Sequence, residues 1–339
     1  MRGVPGSDAR PRVSVILPVH DGEATIREAV GSVLAQTLRN LELIVIDDGS
    51  TDGTLDVLRT IPDHRLQICS TPRSGPAASR NRGVERAAAA TLAFIDADDF
   101  WLPGKLEAQL AALERSPEAA VAYCWTDYID VAGHYVCPDS RPVFAGSVYA
   151  QILRRNFIDS GSNIVVRKQA LVEVGGFDER LPVVEDWDLY IRLAAHHTFV
   201  CVPAVLVLYR LSPTSLTTRF LLMEDAYWKV VNRAFAQAPA SLQHLKRKSV
   251  ARFYEYLAGK ATQGCPSRRN GLTAIRFFAM AVRSRPANLG SLWRRPWVVK
   301  ALAKAVLSAV LPAGAMRALV LAWPFRQSRH LLRRVGDAA

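Results

Sequence analysis

The first hundred residues alternate between short apolar runs and helix-patterned segments, and this alternation restricts the fold more than any other feature. Val13 to Val19 is almost wholly apolar instead of alternating, which predicts a strand buried on both faces. Thr25 to Leu38 follows, with Ile26, Ala29, Val30, Val33 and Leu34 at helical spacing. Leu41 to Ile46 predicts a second buried strand, and Thr54 to Thr60 a short helix. Arg65 to Cys69 predicts a third strand, Ala77 to Ala90 a helix and Thr91 to Ile95 a fourth strand. Strands that alternate with helices build a parallel α/β sheet. Ligands of open α/β sheets bind beyond the carboxyl ends of the strands. Three of those ends carry His20-Asp21, Asp47-Asp48 and Asp96-Ala97-Asp98-Asp99.

Downstream the pattern is mixed. Ala119 to Cys124, Ile164 to Val166 and Val200 to Tyr209 predict strands; Gln169 to Val174 and Glu185 to Ala195 predict helices, the latter with acids in its first turn. From about Phe220 the chain reads as helical. Val250, Phe253, Tyr254 and Leu257 share one helical face, and Leu272, Ile275, Phe278 and Val282 another. Charge changes with position: residues 1–240 carry a net −5, whereas residues 241–339 carry +17, with Glu255 and Asp337 as their only acids. This asymmetry suggests segments with different partners. The expected organisation is one α/β domain in two halves, 1–115 and 116–220, then a basic helical extension at 221–339.

Several classes are set aside. The five cysteines are odd in number and form no CxxC pair, so neither a disulfide framework nor a structural zinc site is expected. The first twelve residues lack an apolar signal core. No uncharged apolar stretch reaches the ~20 residues of a spanning helix. A cytoplasmic protein with reduced thiols is the expectation.

Asp96, Asp98 and Asp99 crowd three carboxylates into four residues. Like charges so close raise one another's pKa, and a divalent cation removes the conflict. Oxygen ligands suit Mg²⁺ or Mn²⁺, bound through one or two carboxylates plus substrate phosphates. Asp48, followed by Gly49-Ser50-Thr51, offers an acceptor for a base or ribose, or alternatively a turn cap. Arg80 suits a diphosphate. Glu185-Asp186 supplies a general base or stabilises a helix dipole. Trp187 offers a sugar-stacking face or a core ring.

Together these motifs resemble the inverting family 2 glycosyltransferases with the GT-A fold. The matching stretches are residues 13–54, 75–87, 94–106 (FIDADDFWLPGKL) and 175–193 (GGFDERLPVVEDWDLYIRL), within 12–211. The resemblance implies a mixed sheet flanked by helices and a metal-dependent transferase using a nucleotide-diphosphate donor, with a UDP-sugar favoured. It implies that Pro18 and His20 line a base pocket, that Asp48 contacts the nucleobase and that Arg80 lies near the nucleotide. Asp96-Ala97-Asp98 matches the DxD motif, with Asp98 as metal ligand and Asp96 or Asp99 supporting ribose or metal. Asp186 matches the catalytic base, and Tyr209-Arg210 a late diphosphate-contacting motif, although LSPTSLT after it lacks the His often found there. The QxxRW motif of processive relatives is absent. The acceptors implied are sugars or lipid-linked sugars of cell-surface polysaccharide or glycolipid synthesis.

The basic extension admits three readings: a packed helical addition, an anchor on anionic lipid, or a nucleic-acid surface. Trp293, Trp297 and Trp323 among Arg294, Arg295, Lys300, Lys304, Arg317 and Arg326 favour a lipid interface, peripheral on the inner face of the membrane, over nucleic acid. The competing functions are a nucleotidyltransferase, which would want a Gly-rich basic phosphate loop that HDGEAT does not provide, and a polyanion- or membrane-binding protein with an inactive GT-A-like domain.

Overall fold

The structure is a computed structural model that describes residues 10–212, 219–262, 267–286 and 296–310. Trp293, Arg294, Arg295, Arg317, Trp323, Arg326, Cys265, most of LSPTSLT and the side chain of Trp297 lie outside the described residues. One compact unit comprises residues up to 152 together with 156–211, and a second comprises 153–155 and residues from 212 onward.

In the first unit, β1 (Val13–Val19), β2 (Leu41–Asp48), β3 (Leu66–Thr71) and β4 (Thr91–Phe94) are parallel in the order β3-β2-β1-β4. Every residue of β1 and β2 is buried, in keeping with their largely apolar runs, and the polar Ser14 and Glu42 among them hydrogen-bond each other at 2.5 Å. The helices between them are α1 (Ile26–Leu34), α2 (Thr54–Arg59) and α3 (Pro76–Arg86). Val13, Val15 and Leu17 pack in one core with Ile26, Ala29, Val30 and Val33 of α1. Ile16 points the other way, against Gly83 of α3, where an added Cβ would lie 2.4 Å from the Ile16 side chain. Gly83 therefore sets how closely α3 approaches the sheet.

The sheet then becomes mixed. It continues through β8 (Val165–Arg167), β6 (Ala119–Ile129), β9 (Thr198–Arg210) and β5 (Phe100–Trp101), and β7 (Tyr135–Pro138) pairs with β6. β8 is antiparallel to both β4 and β6, whereas β6 and β9 are parallel. The two halves expected at 1–115 and 116–220 thus share one sheet, joined where β4 meets β8. Four helices complete the unit's elements: α4 (Lys105–Arg115), α5 (Tyr149–Arg154, reaching into the second unit), α6 (Lys168–Glu173) and α7 (Glu185–His196).

The second unit contains α8 (Phe220–Gln237), α9 (Leu245–Thr262), α10 (Arg268–Ser284) and α11 (Pro296–Val310). Val250, Tyr254 and Leu257 of α9 are buried, and Phe253 stacks on Tyr227 with centroids 3.7 Å apart. The expected apolar face of α10 is rotated in the structure. Gly271, Ala274, Phe277, Phe278 and Ala281 are buried, while Leu272 is 53% exposed. The reason is close helix contact: a Cβ on Gly271 would lie 2.6 Å from the Ala305 carbonyl of α11. A helix face closed by small residues carries a weak hydropathy signal.

Candidate active site

The turn after β4 holds three carboxylates in different states. Asp99 is buried. Its Oδ2 accepts hydrogen bonds from Ser162 Oγ at 2.5 Å and Ser160 Oγ at 3.3 Å, and its Oδ1 accepts the Arg210 N–H at 3.0 Å. Burial, then the charges of Asp98 and Asp96, push its pKa well above the carboxylate range. Asp99, expected as a metal ligand, has both oxygens engaged in tying the turn to β9 and to the 160–162 loop. Asp98 is half-buried, and burial followed by the charge of Asp96 raises its pKa to about 6. Asp96 accepts Arg80 Nη2 at 2.5 Å, and its own N–H donates to Ser162 Oγ at 2.9 Å.

Arg80 is buried on α3. Nη1 reaches Glu185 Oε1 at 2.6 Å while Nη2 holds Asp96. Burial opposes its charge, but the carboxylates of Asp96 and Glu185 raise its pKa beyond the ordinary value. The residue expected to answer a diphosphate therefore bridges the β4 turn and the first turn of α7.

α7 begins in an unusual backbone conformation. Val184 has φ of 56°, a left-handed value that is an outlier for a β-branched residue and costs about 1–3 kcal/mol. Such strain persists where surrounding contacts enforce it. Asp21 after β1 and Asp159 before Ser160 are the other described non-glycine residues with positive φ. Asp186 follows Glu185 and accepts the Trp187 N–H at 2.6 Å. Burial, then the charge of Glu185, raises its pKa to about 7 against the pull of the Trp187 N–H and Arg80, and Asp96 adds to the rise. Asp96 thus acts electrostatically on both Asp98 and Asp186. Trp187 is a core ring, its Nε1 donating to the Ile152 carbonyl at 2.9 Å.

The loops after β1 and β2 are stitched together. His20 Nδ1 lies 3.0 Å from the Asp48 carbonyl and its Nε2 lies 3.2 Å from Asp21 Oδ2. Asp21 accepts the Thr51 N–H at 2.7 Å and its N–H donates to Ser50 Oγ. Pro18 lies within buried β1, opposite Ile46. Asp48 is buried and accepts from Ser74 N–H at 2.7 Å, Ser74 Oγ at 2.9 Å and Gly75 N–H at 2.8 Å. Burial alone would raise its pKa, but the Gly75 N–H and the Ser74 donors outweigh it and hold the carboxyl below its ordinary value.

Arg210, expected at the diphosphate, is buried and committed within the protein. Nε donates to the Asp98 carbonyl at 2.8 Å, Nη1 to the carbonyls of Asp130 and Val131, and Nη2 to Glu28 at 2.6 Å. It braces the acidic turn from behind. Ser160 and Ser162 were not legible in the sequence, since their roles depend on an acid about sixty positions away. Tyr190 holds that loop by donating to the Ser160 carbonyl at 3.0 Å.

Among the described residues, no group of three or more His, Cys, Asp or Glu side chains is arranged to hold a metal ion alone. The donors that fit a divalent cation are the Asp98 carboxylate, with Asp96 beside it. Desolvated, crowded anions are stabilised by a cation, and Mg²⁺ characteristically completes its shell with water and phosphate oxygens.

Residues 14–261 match the family described as glycosyltransferase like family 2. An uncharacterized glycosyltransferase of Rickettsia felis is 33% identical over 190 residues, covering 55% of this chain and 31% of that protein, so the match spans about a third of the relative's length. The Escherichia coli UDP-Glc:α-D-GlcNAc-diphosphoundecaprenol β-1,3-glucosyltransferase WfgD is 28% identical over 234 residues, 65% of this chain and 85% of that protein. The crystal structure of S. aureus TarS 1–349 superposes with a TM-score of 0.57 at 19% identity over 93% of both chains. Structures of that fragment with UDP and with UDP-GlcNAc give the same TM-score. Sheet order and neighbours define a GT-A-like glycosyltransferase fold. The chain belongs to the family 2 glycosyltransferases.

Proposed function

We propose that this chain is an inverting hexosyltransferase. It moves a sugar from a nucleotide-diphosphate donor, with a UDP-sugar favoured, onto the hydroxyl of a lipid-linked acceptor in cell-surface polysaccharide or glycolipid synthesis. The observation that carries the reading is the buried Arg80 bridge, which ties Asp96 of the turn that bears Asp98 to Glu185, the neighbour of Asp186. A carboxylate with a pKa of about 7 is suited to accept a proton near neutral pH. Asp186 takes the proton from the acceptor hydroxyl as it attacks the anomeric carbon, and the bond to the diphosphate breaks on the opposite face. Asp98, with Asp96, would hold Mg²⁺ or Mn²⁺, which supplies charge neutralisation for the departing diphosphate. Asp48, His20 and Pro18 line the nucleotide side, with Asp48 contacting the base. The donor and the polyprenyl-diphosphate type of acceptor are those in the name of WfgD.

The test is transfer by the purified chain from a panel of UDP-sugars to a polyprenyl-diphosphate-linked sugar, with Mn²⁺ or with chelator. Metal-dependent transfer with an inverted anomeric configuration is expected. Transfer that survives chelation, or retention of configuration, contradicts the reading.

For the second unit we propose peripheral binding to an anionic membrane at the cytoplasmic face. No described helix is long and apolar enough to cross a membrane. Leu272 and Val306 are 53% and 45% exposed on α10 and α11, helices that contain six Lys and Arg and no acid. Aliphatic exposure among basic groups suits anionic lipid better than nucleic acid, whose bases stack on aromatic rings. Leu272→Glu with Val306→Glu is expected to abolish flotation with anionic vesicles; equal flotation of both proteins would remove this surface.

A further inference from the structure

Arg80 and Asn81 grip both ends of the segment that leads into the proposed base. Asn81 receives the Phe177 N–H on Oδ1 and donates from Nδ2 to the Phe177 carbonyl, each at 2.9 Å. Arg80, one residue earlier, holds Glu185 at 2.6 Å and lies 5.4 Å from the Phe177 ring centroid. Its other terminal nitrogen holds Asp96 of the acidic turn. A third segment closes on the same bridge: a Cβ on Gly161 would lie 3.1 Å from Arg80 Nη2 and 3.4 Å from Asp96 Oδ2. Gly176, at φ 66°, leaves room for Asn81, whose Oδ1 would lie 2.9 Å from an added Cβ.

We propose that Arg80 is a positioning residue that clamps the first turn of α7 to the turn after β4, so that Asp186 and Asp98 serve one reacting centre. This rests on the assignment of Asp186 as base. The charge pattern gives the physical reason. Asp96 and Glu185 are both paired with the Arg80 guanidinium, which stands between these two carboxylates. A donor phosphate that took the N–H groups now held by Asp96 and Glu185 would leave a carboxylate of the site without its cation. Two of its five N–H donors go to these carboxylates, and the Nε–H is buried without a hydrogen-bond partner among the described residues.

The clamp is tested on the full chain with Arg80→Lys, which keeps the charge but cannot span both acids, and with Glu185→Gln, which removes one arm. Hydrogen exchange needs no activity. The Asp188 N–H bonds to the Val184 carbonyl and the Asp99 N–H to the Asp96 carbonyl, each at 3.1 Å. Arg80→Lys is expected to speed exchange about tenfold or more at both amides and to leave β2 unchanged. Glu185→Gln is expected to do so at Asp188 alone, and it decides the matter if Arg80→Lys does not fold. In turnover, Arg80→Lys is expected to lower kcat about thirtyfold with UDP affinity within about threefold. Unchanged exchange overturns the clamp. So does a tenfold loss of UDP affinity with kcat retained at saturating donor, the signature of a phosphate ligand. A native protein that turns over no nucleotide sugar would instead refute the assigned reaction, while the exchange contrast would still decide the clamp.

Discussion

The ends of β2 and β4 lie on either side of β1 and read alike in the sequence, each a buried strand followed by aspartates. Their chemistry is opposite. At β2, Asp48 accepts three hydrogen bonds from the 74–75 turn, and its carboxyl is held below the ordinary range despite burial. At β4, burial and mutual repulsion push Asp98 up to about 6, and Asp99, tied into the fold by three hydrogen bonds, well above the carboxylate range. A carboxylate satisfied by backbone N–H groups organises a loop. One that is desolvated beside other acids is poised to bind a cation or a proton. Clustering of acids is visible in a sequence; the supply of donors around them is not.

Substitutions can break this contrast in order of expected effect. Asp186→Asn removes the proposed proton acceptor while keeping its shape, and kcat is expected to fall about 10³-fold or more with UDP affinity unchanged. Steady-state kinetics with a calorimetric titration of UDP checks both quantities. Asp98→Asn is expected to lower kcat about 10²- to 10³-fold, and also to abolish the Mn²⁺ dependence of UDP binding that Asp186→Asn retains. Equal Mn²⁺ dependence in both variants would remove Asp98 from the cation site.

Lys105 sharpens the comparison from behind the same turn. It is fully buried, lies 3.9 Å from the Trp101 ring centroid, and its Nζ has no hydrogen-bond partner among the described residues. Burial lowers its pKa from 10.5 to about 8. Below pH 8 both folded and unfolded chains carry the proton, and the fold bears the desolvation. Between 8 and 10.5 the folded chain sheds its proton first, so stability rises with pH. Lys105→Met is therefore expected to stabilise the protein by about 3 kcal/mol at pH 7, using ~1.4 kcal/mol per pKa unit, with the gain vanishing above pH 10.5. Urea unfolding at several pH values measures it. Asp48→Asn is expected to act in the opposite sense, destabilising by about 2 kcal/mol through lost charge-assisted hydrogen bonds, and to lower kcat far less than Asp98→Asn does.

Much of the N-terminal half was legible because largely apolar runs identify doubly buried strands; β1 and β2 match Val13 to Val19 and Leu41 to Ile46 closely. β5, two residues long, has no periodicity to read. The acids at positions 96–99 and 186 were legible as residue types at strand and helix ends. The destinations of Arg80 and Arg210 were not. Sequence gives a guanidinium's charge but not its partners: here Arg80 is bound to two carboxylates, and Arg210 to one carboxylate and three backbone carbonyls. Likewise, Gly271 turned α10 by close packing that hydropathy does not register.

The pH dependence of kcat addresses the central claim most directly, since it reports whether Asp186, half-buried at the start of α7, acts as the base. With Asp186 at about 7, turnover by the native protein is expected to rise about tenfold per pH unit below neutrality and level off above it. The residual turnover of Asp186→Asn is expected to lack that limb. A native limb centred near pH 4, or the same limb surviving in Asp186→Asn, would contradict the account.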